Sequence, residues 1–300
     1  NFPKRSTLSA DINIAEDPYF KLRFHSNVSQ KFKYGTDFSV ISLFMNQYDD
    51  KVINNSYSVQ DNKMDLFMEF MPNLERQLRA GIVANYVHLR DNLIHVVDAD
   101  NYDFISYAYL NYHIDNEDSP TFASRGWKLN VNGKYIMPVV ELEDGSRMRN
   151  SFVVRCDLDG AIAMGEKNSL KLGATLGTSI GDNEPPLSYQ FFLGGQSHMK
   201  YFDNIISFDG LKFTQLYGNH IAIGKISWQC NFYKNIYGII NFNGGYVANN
   251  YDIWFADDSF VLGCGLTLGM KTMAGPIEIS LTGSNRCSGL VGFFNVGYWF

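Results

Sequence analysis

"RGWKLNVNGKYIM", residues 125–137, is the stretch that decides the fold. Apolar and polar residues alternate along it. The apolar positions are Trp127, Leu129, Val131, Tyr135 and Met137, and the polar positions between them are Lys128, Asn130, Asn132 and Lys134. A period of two places successive side chains on opposite faces of a β-strand. The stretch therefore predicts a strand with one apolar face and one polar face.

The same alternation recurs through the chain, for example in "NKMDLFMEFM" at 62–71 and "FVLGCGLTLGMK" at 260–271. Most of the predicted strands have ten residues or more. That length exceeds the roughly 5–6 residues of strands in soluble sheets and suits tilted membrane strands of about 9–11 residues. The predicted strands are 5–14, 18–29, 34–48, 62–72, 77–91, 101–115, 125–138, 150–164, 168–181, 219–233, 235–248, 258–271, 274–284 and 289–300.

Composition narrows the class of protein. The 300 residues are 15% aromatic and only 19% charged, with a net charge of −6, which disfavours a nucleic-acid partner. No run of 18 apolar residues exists, so a transmembrane helix is excluded. The four cysteines lie far apart and the six histidines lack ligand spacing, so no disulfide framework, metal site or cofactor is expected.

The connections between the predicted strands alternate in length. Short ones fall near 30–33, 73–76, 165–167, 234 and 272–274, and long ones near 49–61, 92–100, 139–149, 182–218 and 249–257. Outer-membrane barrels have short periplasmic turns and long external loops. We therefore expect an all-β fold, an antiparallel transmembrane β-barrel of about 14 strands, in the bacterial outer membrane with both termini periplasmic. A soluble β-sandwich is disfavoured because the polar face is rich in Gly, Thr, Ser and Asn rather than in charge.

Residues 177–181 spell G-x-S-x-G, the pattern of a serine-hydrolase nucleophile. The alternation of this strand places Ser179 on its polar face, and two prolines follow at 185–186, where the motif requires a helix. A hairpin at 165–167 pairs Asp159, the candidate partner of Ser179, with about residue 173. Ser179 lies six residues further on, roughly 20 Å at about 3.3 Å per residue. We therefore predict no catalytic residue in these 300 positions.

The stretch "SYQFFLGGQSHMKYFDNIISFDGLKF", 188–213, resembles the surface-antigen superfamily, which includes the outer-membrane insertases and two-partner secretion transporters. The matching features are the pair Gly194-Gly195 and the closing Asp209-Gly210. The resemblance implies that the connection at 182–218 folds into the lumen, and the family pattern gives about 16 strands. It also implies that the terminal Phe300 is the signal read by the barrel-assembly machinery.

Asp209 stands where insertases and transporters carry arginine. The sequence around it, with "YKNIYGIINFN" downstream, is most similar to the C-terminal barrel of patatin-like phospholipases. That branch implies that residues 1–17 are a first strand or a linker from a periplasmic domain, and that 18–300 form the barrel. The barrel would then anchor a lipase absent from these residues and provide a lipid path. An insertase, a secretion pore and a simple porin are the alternatives. The expected partners are outer-membrane lipids, the assembly machinery, and a homodimer or larger membrane complex.

Overall fold

The computed structural model describes residues 6–14, 18–49, 52–91, 100–138, 150–181, 185, 187–196, 202, 204–250 and 259–297. Fourteen strands form one sheet in which each strand pairs antiparallel with its neighbours along the chain. They are β1 (Ser6–Asn13), β2 (Tyr19–Asn27), β3 (Phe32–Asp49), β4 (Val52–Asn73), β5 (Arg76–Asp91), β6 (Asp100–Asp115), β7 (Gly126–Pro138), β8 (Ser151–Ala163), β9 (Asn168–Gly181), β13 (His220–Tyr233), β14 (Ile236–Ala248), β15 (Phe260–Thr272), β16 (Gly275–Ser284) and β17 (Val291–Val296). All fourteen predicted strands are confirmed.

Three short strands form a separate sheet within the connection from β9 to β13. They are β10 (Phe191–Leu193), β11 (Ile205–Ile206) and β12 (Leu216–Gly218), preceded by a single turn of 3-10 helix at Leu187–Tyr189. We call residues 182–219 the β9–β13 loop. In the part of the chain that the structure describes, no helix is both long and apolar enough to cross a membrane.

The large sheet has an apolar face exposed to the surroundings and an inner face rich in buried polar residues. On β15, Leu262, Leu266 and Leu268 are at least half exposed. The buried polar side chains of the other strands include Asp37, Asp61, Glu69, Asn85, Lys134, Thr175, Gln229 and Asn243. A soluble protein has the opposite arrangement, whereas a membrane barrel turns its apolar face to lipid. The predicted transmembrane barrel is therefore the fold observed.

Contacts of the β9–β13 loop show that the sheet surrounds it. Buried loop residues belong to one apolar cluster together with Val83 of β5, Tyr107 of β6, Ile223 of β13 and Val261 of β15. Six strands separate β5 from β15 in the sheet order. One loop packs against both strands because the sheet curves around it.

The predicted long loop at 49–61 is wrong. The pairing of β3 with β4 continues to Asp49 and Val52, so these strands have 18 and 22 residues and the connection is only residues 50–51. The inner face of β3 changes from Asp37 to the buried Ile41 and Leu43 in this outer part. The inner face of this outer part is therefore apolar, and the polar outward residues Ser56, Ser58 and Gln60 of β4 made the sequence resemble a loop.

Candidate functional site

The β9–β13 loop is folded around its own short sheet. Strand β10 lies between β11, which is parallel to it, and β12, which is antiparallel. The side-chain amide of Asn204 donates to the carbonyl oxygens of Ser188 (2.9 Å) and Gln190 (2.7 Å). Phe191, Phe208 and other apolar side chains of the loop are almost completely buried. An external loop would expose such residues to water, so this connection is an internal packing element.

Gly194 and Gly195 form the turn that follows β10. Their φ angles are +136° and +70°, in the region that favours glycine. A Cβ atom on Gly194 would overlap the carbonyl oxygen of Lys212, and the Gly195 amide donates to the Leu211 carbonyl at 3.0 Å. The predicted glycine pair is therefore required by the path of the loop backbone.

Asp209 and Gly210 bring the loop backbone against the wall strands β15 and β16. Gly210 has a φ of +79°, and a Cβ atom there would overlap the backbone of Gly283 on β16. A Cβ atom on Gly263 of β15 would in turn overlap the Asp209 carbonyl oxygen. Backbone lies on backbone at this contact, which only glycine permits.

Polar groups strengthen the same contact. The ammonium group of Lys225, on β13, donates to the carbonyl oxygen of Ser207 at 2.8 Å and to its hydroxyl at 3.2 Å. The Asp209 carboxylate accepts a hydrogen bond from the Gln196 side chain at 2.6 Å. The cation at this contact comes from the barrel wall, and the carboxylate comes from the loop. Sequence reasoning missed Lys225, although it is the single cation at an inner-face position of β13.

Two further groups attach the loop on other sides of the barrel. The Tyr189 hydroxyl accepts from the Asn85 amide of β5 at 2.8 Å, and the Tyr189 ring meets Tyr107 edge-on at 5.7 Å. The Gln215 amide donates to the carbonyl oxygen of Arg286, beyond β16, at 2.9 Å. The loop is thus held from β5 round to the β16 side of the wall.

A charged cluster lies on the inner face of β2 to β6. The Arg79 guanidinium donates to Asp65 (2.6 Å), Asp37 (3.2 Å) and the Tyr109 hydroxyl (2.7 Å). Lys21 also pairs with Asp37 at 3.3 Å. The groups border a polar cavity of about 300 Å³. Because each of the strands β2 to β5 contributes only one of these charges, the cluster was not visible along the sequence.

The serine motif lies in the barrel wall, as predicted. Ser179 is 8% exposed on the inner face of β9, pairs with Val153, and donates its backbone N–H to the Asn219 carbonyl at 2.9 Å. Asp159 pairs with Gly173, the predicted position, six residues from the serine. The two side chains are not brought together. Phe300, the proposed assembly signal, lies outside the described residues.

Several solved structures have a fold similar to that of this chain. The chain is similar to the crystal structure of BamA from Haemophilus ducreyi lacking POTRA domains 1-3, with a TM-score of 0.73, 12% identity, and coverage of 97% of this chain and 64% of that chain. The structure of CdiB from Acinetobacter baumannii has a TM-score of 0.58 and 10% identity, with coverage of 97% of this chain and 50% of that chain. The structure of CdiB from Escherichia coli has a TM-score of 0.59 and 12% identity, with coverage of 93% of this chain and 52% of that chain. The chain therefore spans between half and about two thirds of their length.

No curated protein matches the sequence. A family profile described as the OMP85 superfamily matches residues 14–300, nearly the whole chain. The matched residues include β2 to β17, and the large sheet of the described residues has fourteen strands where the family pattern gives about 16. The chain belongs to the OMP85 superfamily of outer-membrane β-barrel proteins.

Proposed function

We propose that the chain is a closed outer-membrane barrel of the insertase type, which assists the assembly of other outer-membrane proteins while its β9–β13 loop fills the lumen. Both termini lie on the periplasmic side in this proposal. The observation that carries it is the burial of the loop against β5, β6, β13 and β15. A simple porin requires an open aqueous lumen, so this packing argues against free diffusion as the function.

The attachment of the loop favours an insertase over a secretion pore. A secretion pore has to displace the loop before a polypeptide can pass. Here displacement would break the backbone contact of Gly210 with Gly283 and the hydrogen bonds of Lys225 and Gln215. A barrel that acts on its substrates with the loop in place has no such requirement.

A cross-link tests the proposal. In a variant whose native cysteines are replaced by serine, Asp209→Cys and Gly265→Cys would join loop to wall, because a Cβ atom on Gly265 lies 3.5 Å from Asp209 Cγ. The oxidised variant, reconstituted in lipid vesicles, should accelerate folding of a urea-unfolded eight-stranded barrel as much as the reduced one. Empty vesicles and the variant with Asp209→Cys alone are the controls.

The cross-linking experiment has two informative outcomes, and a separate conductance measurement tests whether the lumen is closed. Equal acceleration in both redox states supports the insertase. Acceleration lost on oxidation and restored on reduction means that the loop must move, as in a secretion pore. A steady, large conductance of the intact chain in planar bilayers would overturn the closed lumen itself, because a filled barrel should pass little or flickering current.

A second candidate is the membrane anchor of a patatin-like phospholipase. It rests on Asp209, which occupies the position where insertases and transporters carry arginine and here bonds to Gln196. Sequencing of the gene upstream of the codon for residue 1 would discriminate the candidates. A patatin domain there would select the anchor, whereas tandem linking domains without a lipase would select the insertase.

A further inference from the structure

The β6–β7 turn, residues 116–125, is longer than the other turns at its end of the barrel. The connections from β13 to β14 and from β15 to β16 have only two residues each. The long turn is internally braced, since the Asp118 carboxylate accepts from the backbone N–H of Ser124 (2.8 Å) and of Arg125 (3.3 Å) and from the Ser124 hydroxyl. Burial raises the pKa of Asp118, but these hydrogen bonds outweigh it and hold the pKa below its ordinary value.

The apex of this turn reaches strands on another side of the barrel. The Gln229 side chain, on β13, donates to the carbonyl oxygens of Phe122 (3.1 Å) and Ala123 (3.3 Å). The Phe122 ring stacks on Tyr237 of β14, with 4.5 Å between ring centroids and an interplanar angle of 11°. Phe122 and Ala123 are 8% and 4% exposed. The apex of the turn therefore packs against the inner surface of the barrel wall.

Residues of strand β15 accommodate the turn. A Cβ atom on Gly269 of β15 would overlap the Phe122 ring, so this glycine makes the space in which the ring lies. Lys271, two residues further, donates to the Ser119 hydroxyl at 3.2 Å. Phe122 itself adopts a φ of +53°, which is unfavourable for a non-glycine residue and persists only where its surroundings hold it.

The turn and the β9–β13 loop occupy different levels of the same wall. On β13 the loop contacts Ile223 and Lys225, whereas the turn contacts Gln229, four residues or about 13 Å further along the strand. Antiparallel order places the two connections at opposite ends of the barrel. A polar cavity of about 210 Å³ adjoins the loop at Asp209 and is lined on β13 by Lys225 and Ser227.

We infer that the β6–β7 turn is a second, independent closure of the barrel, at the end opposite the β9–β13 loop. The inference rests on the proposed closure of the lumen by that loop and adds a second barrier in series with it. Because the two barriers lie in series, removal of either one leaves the other to limit the passage of ions.

Proteolysis tests whether the turn is seated. Arg125 is exposed but adjoins the seated apex, so trypsin should cleave after it slowly in the folded protein in detergent. Gly269→Ala should expel the Phe122 ring and accelerate cleavage about tenfold, since cleavage follows the population of the open turn. Gln229→Met, which removes both hydrogen bonds to the turn, should act in the same direction. Gly224→Ala is the matched control, because the nearest atom to an added Cβ lies 3.9 Å away.

Conductance separates this inference from the proposed function. The variants are a deletion of 196–208 in the loop, a replacement of 116–125 by a two-residue Asn-Gly turn, and the two changes combined. Each single change should give small currents, and the double change a large, steady conductance. A large conductance after the loop deletion alone would overturn the second closure and leave the first intact. A steady, large conductance of the unmodified chain would overturn both the closure by the loop and the closure by the turn. Unchanged cleavage after Arg125 in both Gly269→Ala and Gln229→Met, with folding verified by heat-modifiable migration, would also overturn the inference.

Discussion

At the scale of single residues, the interior of this barrel is shaped by small side chains that face inserted segments. A Cβ atom on Gly177 would lie 2.8 Å from the Phe191 ring, and Gly263 and Gly269 leave the same kind of space for the loop and for the turn. A strand interior gains nothing from glycine itself, because glycine packs poorly and costs entropy. Its presence at these positions follows from the close approach of a second chain segment.

Ser179 gives a prediction at this scale. Its hydroxyl oxygen is buried and has no hydrogen-bond partner among the described residues. Ser179→Ala should therefore leave any activity unchanged and leave the stability equal or higher by about 1 kcal/mol, because an unsatisfied polar group is removed. Thr175→Val on the same face is the control and should destabilise by about 1 kcal/mol, since Thr175 bonds to Asp157 at 2.8 Å.

Urea unfolding in detergent and an esterase assay measure these changes. Loss of hydrolysis in Ser179→Ala, with the barrel still folded, would contradict the assignment of this serine to the wall.

At the scale of elements, the inner face of β3 changes character along the strand. It carries the buried Asp37 in its first half and the buried Ile41 and Leu43 nearer the β3–β4 connection. These apolar residues pack in one cluster with Phe192 and Phe202 of the β9–β13 loop. The loop is thus seated on an apolar layer made by the inner faces of β3 and β4.

Leu43 and Phe44 test this arrangement as adjacent residues on opposite faces of β3. Leu43 is 0% exposed and Phe44 is 50% exposed. Leu43→Ala should destabilise the protein by about 2–5 kcal/mol, because it leaves a cavity between strand and loop. Phe44→Ala should cost much less. Thermal unfolding followed by gel migration compares them, and equal losses would mean that the loop does not pack on this face.

At the scale of the whole molecule, the distribution of polarity requires a membrane. Exposed apolar residues belt the outer face, as with Leu266 at 62% and Phe294 at 65%, while charges such as Asp61 are buried inside. In water the outer belt would drive aggregation.

The purified chain should therefore require detergent, give a circular dichroism spectrum dominated by β-structure, and migrate differently on gels before and after heating. Substantial helix in the spectrum, or a soluble monomer without detergent, would contradict the barrel. A soluble β-sandwich of similar size is the control for the heating step, because it should not retain a folded form in the gel.

The sequence by itself determined the strands and the two faces of the sheet, because a period of two is a local property of the chain. It also located Asp159 opposite residue 173, since the pairing within a hairpin depends on near neighbours. The family resemblance pointed to Gly194, Gly195 and Gly210, but the contacts that require glycine there, such as that of Gly210 with Gly283, are tertiary. The tertiary structure alone decided the extent of β4, whose pairing with β3 continues to Val52. It also decided the pairing of Lys225 with Ser207 and of Gln229 with the β6–β7 turn, which join residues 18 and more than a hundred positions apart. Such contacts depend on how the sheet curves, and no local pattern in the sequence records that curvature.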